Sequence, residues 1–183
     1  MPLFLLALAL FGLSYRIPAI NRLDQRLFLV LHRMLSTGGN VFRVLWPLGT
    51  TPLALVLLAA LTWPLRAHTS TLAALWIALG IAALLERAIK LALRRPRPFA
   101  SLSGVHMLQP RQPHDPSYPS GDALRVWFLA LAWGRVYPPA ALPAAALAVL
   151  VSLGRIALGV HHPLDVLSGS ALGALSAWVA LQF

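Results

Sequence analysis

Residues 67–85, AHTSTLAALWIALGIAALL, hold no Asp, Glu, Lys or Arg between Arg66 and Glu86. A run of that length is close to the ~20 apolar residues a helix needs to cross a bilayer. Further charge-free stretches lie between Arg43 and Arg66, between Arg135 and Arg155, and from Val166 to Phe183. Two weaker spans complete the set: a short one from Pro2 to Tyr15, and one from Ala123 to Val136 whose first turn carries Asp122 and Arg125. The runs are continuously apolar and rich in Leu and Ala, without the two-residue alternation a barrel strand requires, so helices are expected. The fold class is therefore all-α, a polytopic membrane protein with six transmembrane helices, and the whole of residues 1–183 is expected to form one membrane-embedded domain.

Composition agrees with this reading. The chain is 58% hydrophobic and 11% charged, with a mean hydropathy of +0.74, against roughly 25% charged residues in an ordinary soluble domain. Pro52, Pro143 and Pro163 fall at or near expected helix starts, where proline is tolerated. The segment Arg16–Leu35 differs: Ile17, Ile20, Leu23, Leu27, Val30, Leu31 and Met34 recur at helical spacing while Arg22, Arg26 and Arg33 lie elsewhere. That pattern predicts an amphipathic helix lying in the membrane interface. The N-terminal stretch lacks a basic region before its apolar run, so a retained helix is expected rather than a secretory signal.

The formal net charge is +10. Basic residues at the ends of spans face anionic headgroups, each contributing about 1 kcal/mol, and no soluble segment interleaves aromatic and basic residues as single-strand binders do. The expected partners are the lipid bilayer and a membrane lipid phosphate substrate, with no nucleic acid. With no cysteine in the chain, a disulfide framework and a thiol nucleophile are excluded.

Against so apolar a background each ionisable group needs an explanation. Three clusters stand out: Lys90 with Arg97 and Pro98; Pro119, Ser120, Gly121 and Asp122; and Arg155 with His161 and Asp165. Taken singly, each has a plain explanation. Lys90 and Arg97, around a helix end set by Pro96, would serve as interfacial anchors; Ser120 or Asp122 would cap a helix. Together they supply three cations, a glycine turn at a helix N-terminus that favours an anion, and an imidazole with a carboxylate four residues on. That is an inventory for phosphoryl transfer, which needs positioning and charge neutralisation above all. Arg94, Arg95 and His162 are assigned to headgroup contact. The spacings among His161, His162, Asp165, Asp122, His114 and Asp115 match no zinc pattern, so no metal or other cofactor is expected.

The order and gaps Lys90-x6-Arg97-Pro98, Pro119-Ser120-Gly121 and Arg155-x5-His161-x3-Asp165 resemble the type 2 phosphatidic acid phosphatase superfamily, which includes vanadium-dependent haloperoxidases. The resemblance covers about the last hundred residues, and the Asn21/Asp24 interfacial segment is similar to bacterial membrane members as well. It implies a metal-independent phosphatase in which His161 attacks phosphorus to form a phosphohistidine and Asp165 orients it. Lys90, Arg97 and Arg155 would hold the phosphate oxygens with the Ser120 hydroxyl and the Gly121 amide, and water would release the phosphate. Candidate substrates implied by the family are undecaprenyl diphosphate, phosphatidylglycerol phosphate and phosphatidic acid.

The chain departs from the family at Asp122. Family members usually carry histidine there to protonate the leaving oxygen, whereas a carboxyl with an ordinary pKa of about 3.9 is poorly matched to that task. Three accounts follow. The leaving group is itself a phosphate monoester, as when a polyprenyl diphosphate loses its terminal phosphate, and with a second pKa of about 6 it needs little protonation. Alternatively, His114 or His106 from the loop between Pro96 and Pro119 donates the proton. In the third account the scaffold is a catalytically impaired lipid-phosphate binding or transport protein. Orientation carries a conflict: the catalytic loops share a side with Arg16, Arg22, Arg26, Arg33, Arg94, Arg95 and Arg111, which the positive-inside rule assigns to the cytoplasm, while bacterial relatives face outward. The outer face of a bacterial-type cell membrane is the expectation.

Overall fold

The structure, a computed structural model, describes residues 1–183 and contains helices without any strand. In chain order these are α1 Pro2–Phe11, α2 Pro18–Leu35, α3 Gly39–Leu45, α4 Thr51–Ala59, α5 Thr69–Leu93, the single turn α6 Pro98–Ser101, α7 Gly121–Val136, α8 Ala141–Ala157 and α9 Pro163–Ala180. Proline occupies the first turn of α1, α2, α4 and α9, where its missing N–H costs no helical hydrogen bond. At the other end of α5, Arg94 turns left-handed with φ of 47° and Pro96 prevents the helix from resuming, so the chain leaves the bundle extended through Arg97.

Three helical segments are long and apolar enough to cross a bilayer, Thr69–Ser101, Pro138–Ala157 and Pro163–Ala180. A fourth is obtained only if the pair Pro2–Arg16 and Pro18–Gly49, bent by 101°, is taken as one span. The six crossings expected from hydropathy are thus not all present as full-length helices, for two physical reasons. The stretch between Arg43 and Arg66 is broken: α3 ends at Leu45, a 3₁₀ turn runs through Trp46–Gly49, and Pro52 starts α4 afresh. Helix α7 has 16 residues and α1 has 10, so at 1.5 Å per residue they reach only about 24 and 15 Å.

Helix α2 buries Asp24 and Phe28 against the bundle, whereas Leu23, Leu27, Val30 and Met34 are exposed. Its apolar stripe therefore points away from the protein, as an interfacial helix does when it lies in lipid. The main core gathers Leu58, Leu61, Leu75, Leu79, Leu124 and Phe128 from α4 and its 3₁₀ extension, α5 and α7.

Helices α7 and α9 meet backbone to backbone. A Cβ on Gly173 would lie 2.0 Å from the Leu124 carbonyl oxygen, and one on Gly169 would lie 2.2 Å from that of Ser120. Small residues four apart permit this approach between membrane helices. Its consequence is local: the start of α7, bearing Ser120 and Gly121, is fixed against the start of α9, and the Ser120 amide donates to the Asp165 carbonyl at 2.9 Å.

Candidate active site

The site forms where the C-terminal end of α5, the N-termini of α7 and α9, and the α6–α7 loop come together. In the last turn of α5, Lys90 follows Glu86 by one turn, and its Nζ lies 2.8 Å from Glu86 Oε1; it also pairs with Asp115 Oδ2 from the loop. Arg97 donates from Nη2 to Asp115 Oδ1 at 2.8 Å, from Nη1 to the Val160 carbonyl at 3.0 Å, and approaches His161 Nε2 at 3.2 Å. Both cations are buried.

Ser120 is the N-cap of α7, its hydroxyl accepting from the Ala123 amide at 3.4 Å. Gly121 is needed for a different reason, since an added Cβ would lie 2.2 Å from Glu86 Oε1: the glutamate lies directly against this turn. At the next residue, Asp122 accepts from Arg125 Nη2 at 2.7 Å and from Arg155 Nη1 at 2.8 Å. Arg125 also reaches Glu86 Oε2 at 3.3 Å and the Gly49 carbonyl at 2.7 Å. Four cations and three carboxylates thus form one connected network.

His161 precedes α9 rather than lying on it; Pro163 opens that helix and Asp165 is its third residue. The separation from His161 Nδ1 to Asp165 Oδ2 is 3.6 Å, longer than a hydrogen bond. Asp165 Oδ2 instead accepts the His162 backbone amide at 2.8 Å. Because Arg97 has only donors to offer, His161 Nε2 faces it as an acceptor, which places the ring proton on Nδ1, toward Asp165. Burial, aided by the charge of Arg97, pushes the His161 imidazole down to about 4, so the ring is neutral at physiological pH with its Nε2 lone pair directed to Arg97 Nη1 at the site.

A cavity of about 490 Å³ opens in front of these groups, with Lys90, Arg97, Gly121, Asp122, Arg125 and His161 in its wall. Of the residues expected from sequence, these include five. Ser120 and Asp165 lie buried directly behind the wall, and Arg155, fully buried, is joined to the cavity through Asp122. His114 is in the wall and His106 is not.

Two expectations are corrected. Arg95 does not contact headgroups: it is buried and donates from Nη1 to Asp165 Oδ1 and from Nη2 to Asp24 Oδ2, each at 2.6 Å. Its guanidinium also stacks 4.2 Å over the Tyr15 ring. His162 is likewise interior, tilted against Phe28 with ring centroids 5.7 Å apart, because the turn before Pro163 points it into the bundle beside Asp165. Glu86, Asp115 and Arg125 are site residues that the motifs did not reveal. The spacings Glu86/Lys90 and Asp122/Arg125, four and three residues apart on one helix face, were the available signals.

The PAP2 superfamily model matches residues 71–183, which hold all three motifs, all but the first two residues of α5, and α6 to α9; the chain belongs to this superfamily. It is similar to an undecaprenyl-diphosphatase of Sulfolobus acidocaldarius, 37% identical over 58% of this chain, and to a decaprenylphosphoryl-5-phosphoribose phosphatase of Mycobacterium tuberculosis, 36% identical over 67% of it. The chain spans 52% and 65% of the length of these two curated relatives. In fold it resembles the crystal structure of a transmembrane PAP2-type phosphatidylglycerolphosphate phosphatase from Bacillus subtilis, with a TM-score of 0.77 and 21% identity over 100% of this chain and 94% of that one. The chain is an integral membrane protein of that fold.

Proposed function

We propose that the protein is a lipid phosphatase that removes the terminal phosphate of a polyprenyl diphosphate, undecaprenyl diphosphate being the favoured substrate, through a phosphohistidine on His161. The observation that carries this reading is the neutral, acceptor-facing His161 Nε2 beside Arg97 at 3.2 Å in the wall of a cavity that Lys90 also lines. In the proposed reaction the terminal phosphate binds to Lys90 and Arg97, with the Gly121 amide at the positive end of α7. Arg97 Nη1 turns from His161 Nε2 to a phosphate oxygen, which frees the lone pair; Nε2 then attacks phosphorus as the bond to the bridging oxygen breaks, and Asp165 steadies the charge that develops on the ring. Water then cleaves the N–P bond, adding its oxygen to the phosphate and its protons to the products. No metal enters this scheme, since fixed cations supply the charge stabilisation.

Asp122 decides the substrate class. With both its oxygens accepting from arginines, it has no proton to give a leaving alcohol, and its role in this scheme is to hold Arg155 and Arg125 in place. A lipid monophosphate departs from a diphosphate without such help. Turnover in detergent is therefore expected to be at least about tenfold faster on a polyprenyl diphosphate than on phosphatidic acid, a gap within the range a general acid contributes; the reverse preference would move proton donation to His114. The same carboxylate favours the rival reading, a lipid-phosphate binder without turnover.

In this proposal residues 1–183 form one membrane-embedded domain. The bilayer thins around the short helices α1, α4 and α7 so that six crossings are completed, and the site opens at the outer face. A cysteine placed at Gln112, an exposed residue of the cavity rim, should then react with an impermeant maleimide in intact cells. Labelling only after permeabilisation would place the site in the cytoplasm.

A further inference from the structure

The position proposed for the substrate phosphate is held by a side chain of the protein itself. Asp115 bridges the two cations nearest His161: Oδ1 accepts from Arg97 at 2.8 Å and Oδ2 pairs with Lys90. Those cations are 4% and 6% exposed, while the Asp115 side chain is 30% exposed on the irregular loop between α6 and α7. Although burial alone would raise its pKa, Lys90 and Arg97 hold the carboxyl far below the usual range, so it is an anion at every pH the protein meets.

The arrangement also permits the carboxylate to leave. Lys90 would keep Glu86 at 2.8 Å, and Arg97 would keep the Val160 carbonyl at 3.0 Å. Arg97 Nε donates to the Asp115 backbone oxygen at 2.8 Å, so the loop can stay anchored while the side chain rotates outward.

We propose that Asp115 is a specificity-determining residue, an internal competitor for Lys90 and Arg97 that restricts the site to phosphates carrying about two negative charges. This inference rests on the phosphatase reading above. A tethered carboxylate acts at high effective concentration, so an incoming monoanion exchanges one charge for one and gains nothing. A terminal phosphate, at about −1.5 to −2 near neutral pH, gains from its additional charge in a site that water screens poorly. The discrimination has an evident use at the membrane surface, where most phosphates are those of phospholipid diesters, each with a single negative charge. Such headgroups would fail to displace Asp115.

The test uses the full-length protein in detergent with two probes, orthophosphate and phosphatidylglycerol, a diester. Binding of orthophosphate is measured by calorimetry at pH 8, and phosphatidylglycerol is titrated as a competitor. Asp115→Asn should tighten orthophosphate about tenfold, the scale of removing one charge from a partly screened site, and should let phosphatidylglycerol compete. Asp115→Glu should stay close to wild type. Asp115→Ser gives the same readout should Asp115→Asn not fold. Unchanged or weaker orthophosphate affinity in the folded variant overturns the inference, as does binding by neither protein. Because the readout is binding, tightening in the variant with no turnover by wild type would overturn the phosphatase reading and leave this one standing. Normal turnover with unchanged affinity would do the opposite.

Discussion

Replacing His161 by Ala is expected to lower phosphate release by at least about 10³-fold, the scale seen when a nucleophile is removed from a preorganised site. The fold should survive the change. His161 Nδ1 has no hydrogen-bond partner, and Asp165 retains the His162 amide at 2.8 Å and Arg95 at 2.6 Å. Loss of turnover with preserved binding of orthophosphate would assign His161 to the chemical step, and acid-labile phosphate trapped on wild type but not on the variant would identify the intermediate. The same imidazole fixes the pH profile. An ordinary histidine, with a pKa near 6.5, would lose its lone pair below that value. With its pKa pushed down to about 4, His161 stays unprotonated and nucleophilic through the range between the two, so the acid limb of kcat should fall near pH 4, while kcat/KM also falls at about pH 6 as the free substrate phosphate takes up its second proton. A kcat limb near 6.5 would mean that the ring is more hydrated than its burial implies. A variant with near wild-type release would remove the phosphohistidine altogether.

Why some of this site was legible in the sequence and some was not follows from where each residue sits. Lys90, Arg97, Ser120, Gly121, His161 and Asp165 lie at helix ends, and helix ends are announced by proline, glycine and the first charge after an apolar run. Their coming together then needs only that α5, α7 and α9 be neighbours. What the sequence did not disclose was partner choice. Glu86 and Asp115 are separated by 29 positions, yet both pair with Lys90, and Arg155 is turned to Asp122 rather than into the cavity. Those pairings depend on which helix faces which, and this is set by close approaches such as Gly169 and Gly173 against α7, where the signal is the lack of a side chain. The helix lengths were hidden for a related cause: hydropathy sums composition over a window, whereas Pro47, Gly49 and Pro52 break the backbone within an apolar run without making it less apolar.

Arg95→Ala should be the most destabilising single substitution outside the proposed catalytic groups, at about 3–5 kcal/mol, because it leaves buried carboxylates without their cation. Asp165 and Asp24 have side chains 0% and 2% exposed, and Arg95 bridges them with 2.6 Å contacts to each while also donating to Asn21 at 3.0 Å. Asp24 in turn accepts the Leu164 amide at 3.0 Å, so this one guanidinium ties the interfacial helix α2 to the N-terminus of α9 and thereby to His161. Arg95→Lys keeps a charge, but a single ammonium cannot reproduce the planar fork that reaches two carboxylates and an amide at once, and it should recover only part of the loss. Thermal unfolding in detergent measures both, with Arg26→Ala on the exposed side of α2 as the reference, expected within about 0.5 kcal/mol of wild type. If Arg95→Ala unfolds at the same temperature as Arg26→Ala, the buried bridge does not hold α2 to α9, and some other contact must position His161.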